Sequence, residues 1–282
     1  MREKIAIIGA GFLGKKILNF MGDHFDVIGA DINCNEDMPI KKVDASNENE
    51  IKTFLMTEKP DIVIDTVGLS SYVACENDYE LCRKLNYDTA INILKVCDNI
   101  DAKMIFISSS YVFNGEKGNY LEIDEPNATN NYSVSKIDAE NMVLKNKESI
   151  IIRLEPLYGV DDLSKRLIIG TNSFEGYFDI AYPELLRNPV FINDIPCIIF
   201  DLIRKEESGI FNVAGPDKLK WLDFVSRVSD LTNENSKIRI VEASSWILKP
   251  PHDTTLDITK INERGINTTS FNKALEKLAE LL

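Results

Sequence analysis

Short, unbroken apolar runs alternate with amphipathic stretches over the first half of the chain. Ile5–Ile8, Val27–Ala30, Asp61–Asp65, Lys103–Ser108 and Ile150–Leu154 have the length and apolar continuity of parallel strands buried on both faces. Between them Lys15–Met21, Glu48–Thr57, Asp78–Cys97 and Tyr132–Asn146 carry helical periodicity, with Gly22 and Pro60 as stop signals. Strand–helix alternation of this kind predicts a doubly wound parallel sheet with helices on both faces. Beyond Tyr158 the pattern loosens. Val160–Arg187 is mixed and loop-rich, Pro189–Phe191 and Gly209–Val213 read as strands, and Ile195–Ile203, Leu222–Leu231 and Phe271–Leu282 read as helices. The expected organisation is an α/β domain over residues 1–155, with 189–205 returning to it. Residues 156–188 and 206–282 are expected to form a smaller mixed α/β lobe over the carboxyl ends of the strands, where open α/β sheets bind ligands.

The first strand runs directly into Gly9-Ala-Gly11-Phe12-Leu13-Gly14, which opens a helix. In that context G-x-G-x-x-G predicts a Rossmann dinucleotide site: Gly9 for the tight turn, Gly11 for close approach of a pyrophosphate, Gly14 for helix–strand packing. The pyrophosphate would rest on the helix N-terminus, beside Phe12 and Leu13. Asp31 closes the second strand, where a carboxylate takes the adenosine ribose hydroxyls and repels a 2′-phosphate. It favours NAD(H) and leaves NADP(H) open. Asp44 has two readings, a contact to the adenine edge, or an exposed loop carboxylate or helix cap.

Tyr132-Ser-Val-Ser-Lys136 places a phenol and an ammonium four positions apart on a predicted helix, hence on one face. An adjacent ammonium favours the phenolate, so the tyrosine can exchange a proton with a substrate oxygen while a nicotinamide exchanges hydride. The preceding strand ends in Ser108-Ser109-Ser110, whose hydroxyls could hold the same oxygen.

These segments resemble the extended short-chain dehydrogenase/reductases that act on nucleotide sugars, and within them the dTDP-4-dehydrorhamnose reductase branch. Ile107-Ser-Ser-Ser-Tyr-Val-Phe-Asn-Gly115 is similar to that branch's I-S-T-D-Y-V-F-D-G, and Pro126 to Lys136 to its P-x-x-x-N-x-Y-G-x-[ST]-K. Ile151 to Gly159, Asn193-Asp194 and Gly209 to Gly215 match later landmarks. The resemblance implies a catalytic triad of Ser109, Tyr132 and Lys136, in which Lys136 also orients the nicotinamide ribose. It further implies sugar-facing positions at Ser109, Ser110, Tyr111 and Pro156, and places Thr66, Val67 and Gly68, after the strand Ile62–Asp65, beside the cofactor. Asn86 falls at a family asparagine, with a structural or a functional role open. Four positions depart from the family: Ile8 for a glycine, Ser110 for an aspartate, Pro156 for a tryptophan, and Pro250-Pro251 for Arg-Pro.

The implied activity is NAD(H)-dependent reduction of a nucleotide-linked 4-keto-6-deoxy sugar. A nucleotide-sugar epimerase that retains NAD uses the same triad. The family also includes a regulatory subunit of methionine adenosyltransferase, which keeps a non-catalytic reading open. A 4,6-dehydratase is disfavoured, because Ser110 and Tyr111 stand where that chemistry places carboxylates. Relatives of this type pair through helices of the dinucleotide domain, so the resemblance also implies a homodimer.

Composition narrows the remaining classes. A net charge of −13, from 45 acidic and 32 basic residues, argues against a nucleic-acid partner. Cys34, Cys75, Cys82, Cys97 and Cys197 form no C-x-x-C pair, and the chain has only His24 and His252. No metal site is expected, and reduced thiols in the cytoplasm are the simple reading. No apolar stretch approaches the roughly 20 residues that span a bilayer.

Overall fold

The computed structural model describes residues 2–33, 39–128, 130–162, 164, 166–170, 172–173, 177–231, 237–242 and 249–282. Cys34 lies outside them. Contacts divide the chain into two compact units, one of residues 1–109, 129–153 and 195–211, the other of 110–128, 154–194 and 212–282.

The first unit is built on a seven-stranded sheet. Its strands are β1 (Lys4–Ile8), β2 (Asp26–Asp31), β3 (Ile40–Lys42), β4 (Ile62–Asp65), β5 (Lys103–Ser109), β6 (Ile150–Leu154) and the strand Gly209–Val213. Their spatial order is Gly209–Val213, β6, β5, β4, β1, β2, β3. β1 pairs in parallel with both β2 and β4, β2 with β3, and β4 with β5. The order therefore reverses between β1 and β4, which is the switch point where such sheets open a crevice at their carboxyl ends. Helices α1 (Phe12–Met21), α2 (Glu48–Glu58), α3 (Tyr72–Asn77), α4 (Tyr79–Arg83), α5 (Thr89–Ile100), α6 (Asn131–Val143) and α7 (Asp194–Arg204) complete the fold. Ala6, Ile8, Val63, Met104, Phe106 and Ile151 of the sheet share one buried cluster with Ile51, Leu55, Ile93 and Ala139 of the helices. Every residue of β4 is buried, as its unbroken apolar run requires.

Local signals set the ends of several helices. Asn47 caps α2 through its side chain, Ser71 caps α3, Asp78 caps α4 and Asn130 caps α6. The single helix expected over Asp78–Cys97 is divided. After α4 the chain makes a π-helical turn, Lys84–Asp88, before α5 continues to Ile100. The wider turn carries Asn86, whose side chain is completely buried and fully engaged by polar neighbours. Periodicity also missed β3 and α3, both too short to show a pattern.

The second unit contains a four-stranded sheet ordered Val190–Phe191, Leu157–Val160, Leu167–Ile169, Asn172–Ser173. Two two-stranded sheets and the helices Trp221–Ser229 and Phe271–Leu281 accompany it. Its core is aromatic: Tyr158 packs edge-on to Phe224 and Phe271, with ring centres 5.1 and 6.0 Å away. Among the described residues no helix is long and apolar enough to cross a membrane, and no group of His, Cys, Asp and Glu could hold a metal ion.

Candidate active site

The glycine loop sits at the carboxyl end of β1. Gly9 has φ +92°, and a Cβ there would meet the Thr66 hydroxyl at 2.9 Å and the Val67 nitrogen at 3.0 Å. At Gly14 a Cβ would fall 1.8 Å from the Gly9 carbonyl oxygen, so only glycine lets α1 descend onto its own loop. Gly11 differs: nothing lies within 4 Å of where its Cβ would be. The protein has no packing reason for glycine at this position, whereas a bound group approaching the backbone would supply one. Gly11 is the N-cap of α1, no side chain caps the helix, and its first turn holds no acidic residue. Free N–H groups, the helix dipole and open space together fit an anionic phosphate group. Phe12 and Leu13 are half-buried in the first turn.

Asp31 ties this loop to the end of β2. Its Oδ2 accepts from the Ala10 nitrogen at 2.6 Å and its Oδ1 from the Asn33 nitrogen at 2.8 Å. The carboxylate thus fixes the loop, and each oxygen retains a lone pair for a further donor. Asp44 is engaged as a local turn: its Oδ1 accepts from the Ser46 nitrogen and hydroxyl, at 2.9 and 2.6 Å. The Ser46 hydroxyl is the main reason its carboxyl titrates below the ordinary aspartate value. These bonds form a loop turn ahead of α2, whose cap is Asn47.

On the other side of the switch point, Thr66 follows β4. Its hydroxyl lies 2.6 Å from the Gly9 carbonyl oxygen and 3.0 Å from that of Ile8. Val67 donates its N–H to Asp65 Oδ1 at 3.0 Å. A Cβ on Gly68 would come within 3.0 Å of Asn86 Oδ1 and 3.3 Å of Lys136 Nζ. Asn86 clamps the next residue, accepting from the Leu69 nitrogen at 2.7 Å and donating to its carbonyl at 3.2 Å. It also donates to the Ser135 hydroxyl at 3.0 Å, which links this loop to α6. The π-helical turn delivers its side chain to these partners.

Tyr132 and Lys136 lie one turn apart on α6, both buried. The Lys136 ammonium donates to the Ile107 carbonyl at 3.0 Å and stands 4.6 Å from the centre of the Phe106 ring. Burial pulls the ammonium below its ordinary lysine value, opposed by the carboxylates of Asp65 and then Glu140. Ser109 ends β5 and is half-buried. The first unit therefore brings Lys136, Gly68, Asn86 and the Ile107 carbonyl into one cluster.

Asp65 was missed by sequence reasoning, although a carboxylate ending the run Ile62-Val-Ile was the signal. It is 1% exposed, and its Oδ2 has no hydrogen-bond partner. Burial pushes its carboxyl up to about 6, against the pull of Lys136.

The other sugar-facing candidates belong to the second unit. Ser110 is fully buried, with its hydroxyl 3.5 Å from that of Thr254 and bonded to the Glu155 carboxyl. The Tyr111 hydroxyl accepts from Arg187 at 3.4 Å. Pro156 is half-buried, and its carbonyl accepts from the Val190 nitrogen. Arg187 is itself 1% exposed and donates to the carbonyls of Leu186, Pro251 and His252.

Comparison with known proteins places these features in a family. The RmlD substrate-binding domain family matches residues 3–282. The chain belongs to that family. Similar curated proteins include the β subunit of methionine adenosyltransferase 2 from Bos taurus, 23% identical over 94% of this chain and 83% of that protein. A probable low-salt glycan biosynthesis reductase of Haloferax volcanii is 22% identical over 95% of this chain and 94% of its own length. Among solved structures, the dTDP-4-dehydrorhamnose reductase of Bacillus anthracis in complex with NADP superposes with a TM-score of 0.84 at 21% identity, covering 99% of both chains. At that identity the superposition establishes that this RmlD-family chain shares the reductase fold.

Proposed function

We propose that this RmlD-family protein is an NAD(H)-dependent reductase of a nucleotide-linked 4-keto-6-deoxy sugar. The observation that carries the reading is the cluster at the β1/β4 switch point. There the Lys136 ammonium lies against the Gly68 loop, in the crevice that also holds the open, uncapped N-terminus of α1.

When bound there, a reduced nicotinamide supplies the hydride. Gly11 and the first turn of α1 hold the pyrophosphate, and Asp31 adds a ribose contact to its two backbone bonds. That carboxylate disfavours a 2′-phosphate, so NADP(H) is the second choice of cofactor. Lys136 has donors beyond the one given to Ile107 and orients the nicotinamide ribose with them. Tyr132 gives its phenolic proton to the reduced oxygen, which Ser109 holds. Tyr111 and Pro156 are sugar-facing positions of the second unit. Ser110 would reach a sugar only by exchanging its bonds to Thr254 and Glu155. Pairing as a homodimer belongs to the same proposal.

The test is a panel of dTDP- and UDP-linked 4-keto sugars with NADH and NADPH, followed by loss of nicotinamide absorbance, with Tyr132→Phe as control. Oxidation of NADH that requires Tyr132 supports the reductase. Tightly retained NAD with interconversion of sugar epimers moves the assignment to an epimerase. The likeness to a methionine adenosyltransferase β subunit over 94% of this chain and 83% of that protein motivates a second reading, a cofactor-binding regulatory subunit. It would be favoured by NADH binding without turnover, together with cellular function preserved in Tyr132→Phe.

A further inference from the structure

The buried charge around α6 divides into a direct ion pair and a second couple that interacts through space, and of these four residues only Lys136 belongs to the triad. Glu140 and Arg153 form the first. Both side chains are 2% exposed, and Arg153 Nη2 lies 2.7 Å from Glu140 Oε2. Arg153 Nε adds a bond to Oε1 at 3.1 Å, and Oε1 also accepts from the Ser108 hydroxyl at 2.5 Å. Glu140 is therefore already neutralised. Lys136 is 5% exposed and gives one N–H to a neutral carbonyl, which carries no charge to balance it. Asp65 is within electrostatic reach of it, across the strands that α6 covers: β4 pairs Asp65 with Phe106, whose ring lies 4.6 Å from the ammonium and whose successor Ile107 accepts from it. One Asp65 oxygen holds Val67, and the other has no partner.

We infer that Asp65 is a positioning residue for Lys136. Its carboxylate keeps the buried ammonium charged and pointed at the Gly68 loop, and this inference rests on Lys136 serving the cofactor as proposed above. A buried cation stripped of its one uncommitted counter-charge deprotonates or pulls away. The titratable groups around the pair are the Cys75 thiol from α3, Cys82 from α4, Cys97 from α5 and Glu140 from α6. Burial raises the Cys97 thiol to about 12 and lifts the Cys75 thiol still further, so both stay neutral in the working range, and Glu140 is held by Arg153.

The test has two arms. In the ligand-free protein, urea midpoints of wild type, Asp65→Asn, Lys136→Met and the double variant close a cycle. Asp65→Asn is expected to lower the midpoint with Lys136 present and to leave it unchanged in the Lys136→Met background. If Asp65→Asn fails to fold, recovery of folding in the double variant carries the same conclusion. Additive effects, or failure of the double variant to fold, overturn the inference. In the second arm NADH affinity is titrated by fluorescence from pH 5 to 9. The loss of affinity on the alkaline side is expected to move roughly 1–3 pH units lower in Asp65→Asn. An unmoved limb in a variant that binds NADH at neutral pH overturns the inference and leaves the reductase reading intact. Wild-type protein that binds no NADH at any pH overturns the reductase reading, and the first arm then judges the pair alone.

Discussion

Gly11 and Gly14 are three residues apart in one loop, and the structure assigns them opposite consequences on gaining a methyl group. In Gly14→Ala the new Cβ would sit 1.8 Å from the Gly9 carbonyl oxygen and 2.9 Å from its carbon. Both atoms are backbone, in a turn already pinned at Gly9 by a bond from its N–H to the Ala30 carbonyl. Relief requires α1 and its loop to separate by more than an ångström. Overpacking of this kind costs about 1–3 kcal/mol or more, against the ~1 kcal/mol that alanine gains over glycine inside a helix. A contact as short as 1.8 Å belongs at the upper end of that range, about 3 kcal/mol, so the net loss is about 2 kcal/mol and Tm falls by roughly 4–8 °C in a chain of this size. In Gly11→Ala the Cβ meets nothing, and φ −74°, ψ −160° suits any residue. Tm should move by no more than about 2 °C, the cost of a poorer N-cap. NADH affinity, read by fluorescence titration, should fall about 10–100-fold, because the methyl group holds the pyrophosphate off charge-assisted bonds. Equal unfolding of both variants, or undiminished NADH affinity in Gly11→Ala, would refute the argument.

Other expectations follow from the same geometry. Tyr132→Phe should reduce turnover by about 10²–10⁴-fold with NADH affinity intact, measured by steady-state kinetics beside a binding titration. Arg153→Met leaves the Glu140 carboxylate buried without its partner and should cost about 3–5 kcal/mol in urea unfolding, much of it returned when Glu140→Leu is added. Hydrogen bonds from Lys4, at 2.6 Å, and Lys41 hold the Glu58 carboxyl below its ordinary value of 4.5. Its contribution to stability is therefore present above about pH 4.5 and lost as pH falls through the lower folded value. The difference in urea midpoint between wild type and Glu58→Gln should be clear at pH 7 and should shrink toward pH 3.

The parallel sheet was legible because residues buried on both faces leave unbroken apolar runs such as Ile5–Ile8 and Ile62–Ile64. The cofactor loop was legible because glycine is required there for geometric reasons that recur wherever a strand turns into a helix against a phosphate. Tyr132 and Lys136 could be paired from spacing alone, since four residues make one turn. Folding decided what those residues meet. The π-helical turn that turns Asn86 inward has no periodic signature, and it changes one expected helix into two with a clamp between them. Asp31 reads as a ribose ligand, yet the fold gives each of its oxygens a backbone donor first. Asp44 reads two ways, and folding engages one of its oxygens with Ser46. Asp65, Lys136, Glu140 and Arg153 lie scattered from the fourth strand to the sixth, and no local rule pairs charges across such separations. Their pairing is decided by the low dielectric they share once buried, where each charge needs a partner and the order of the strands determines which one is in reach.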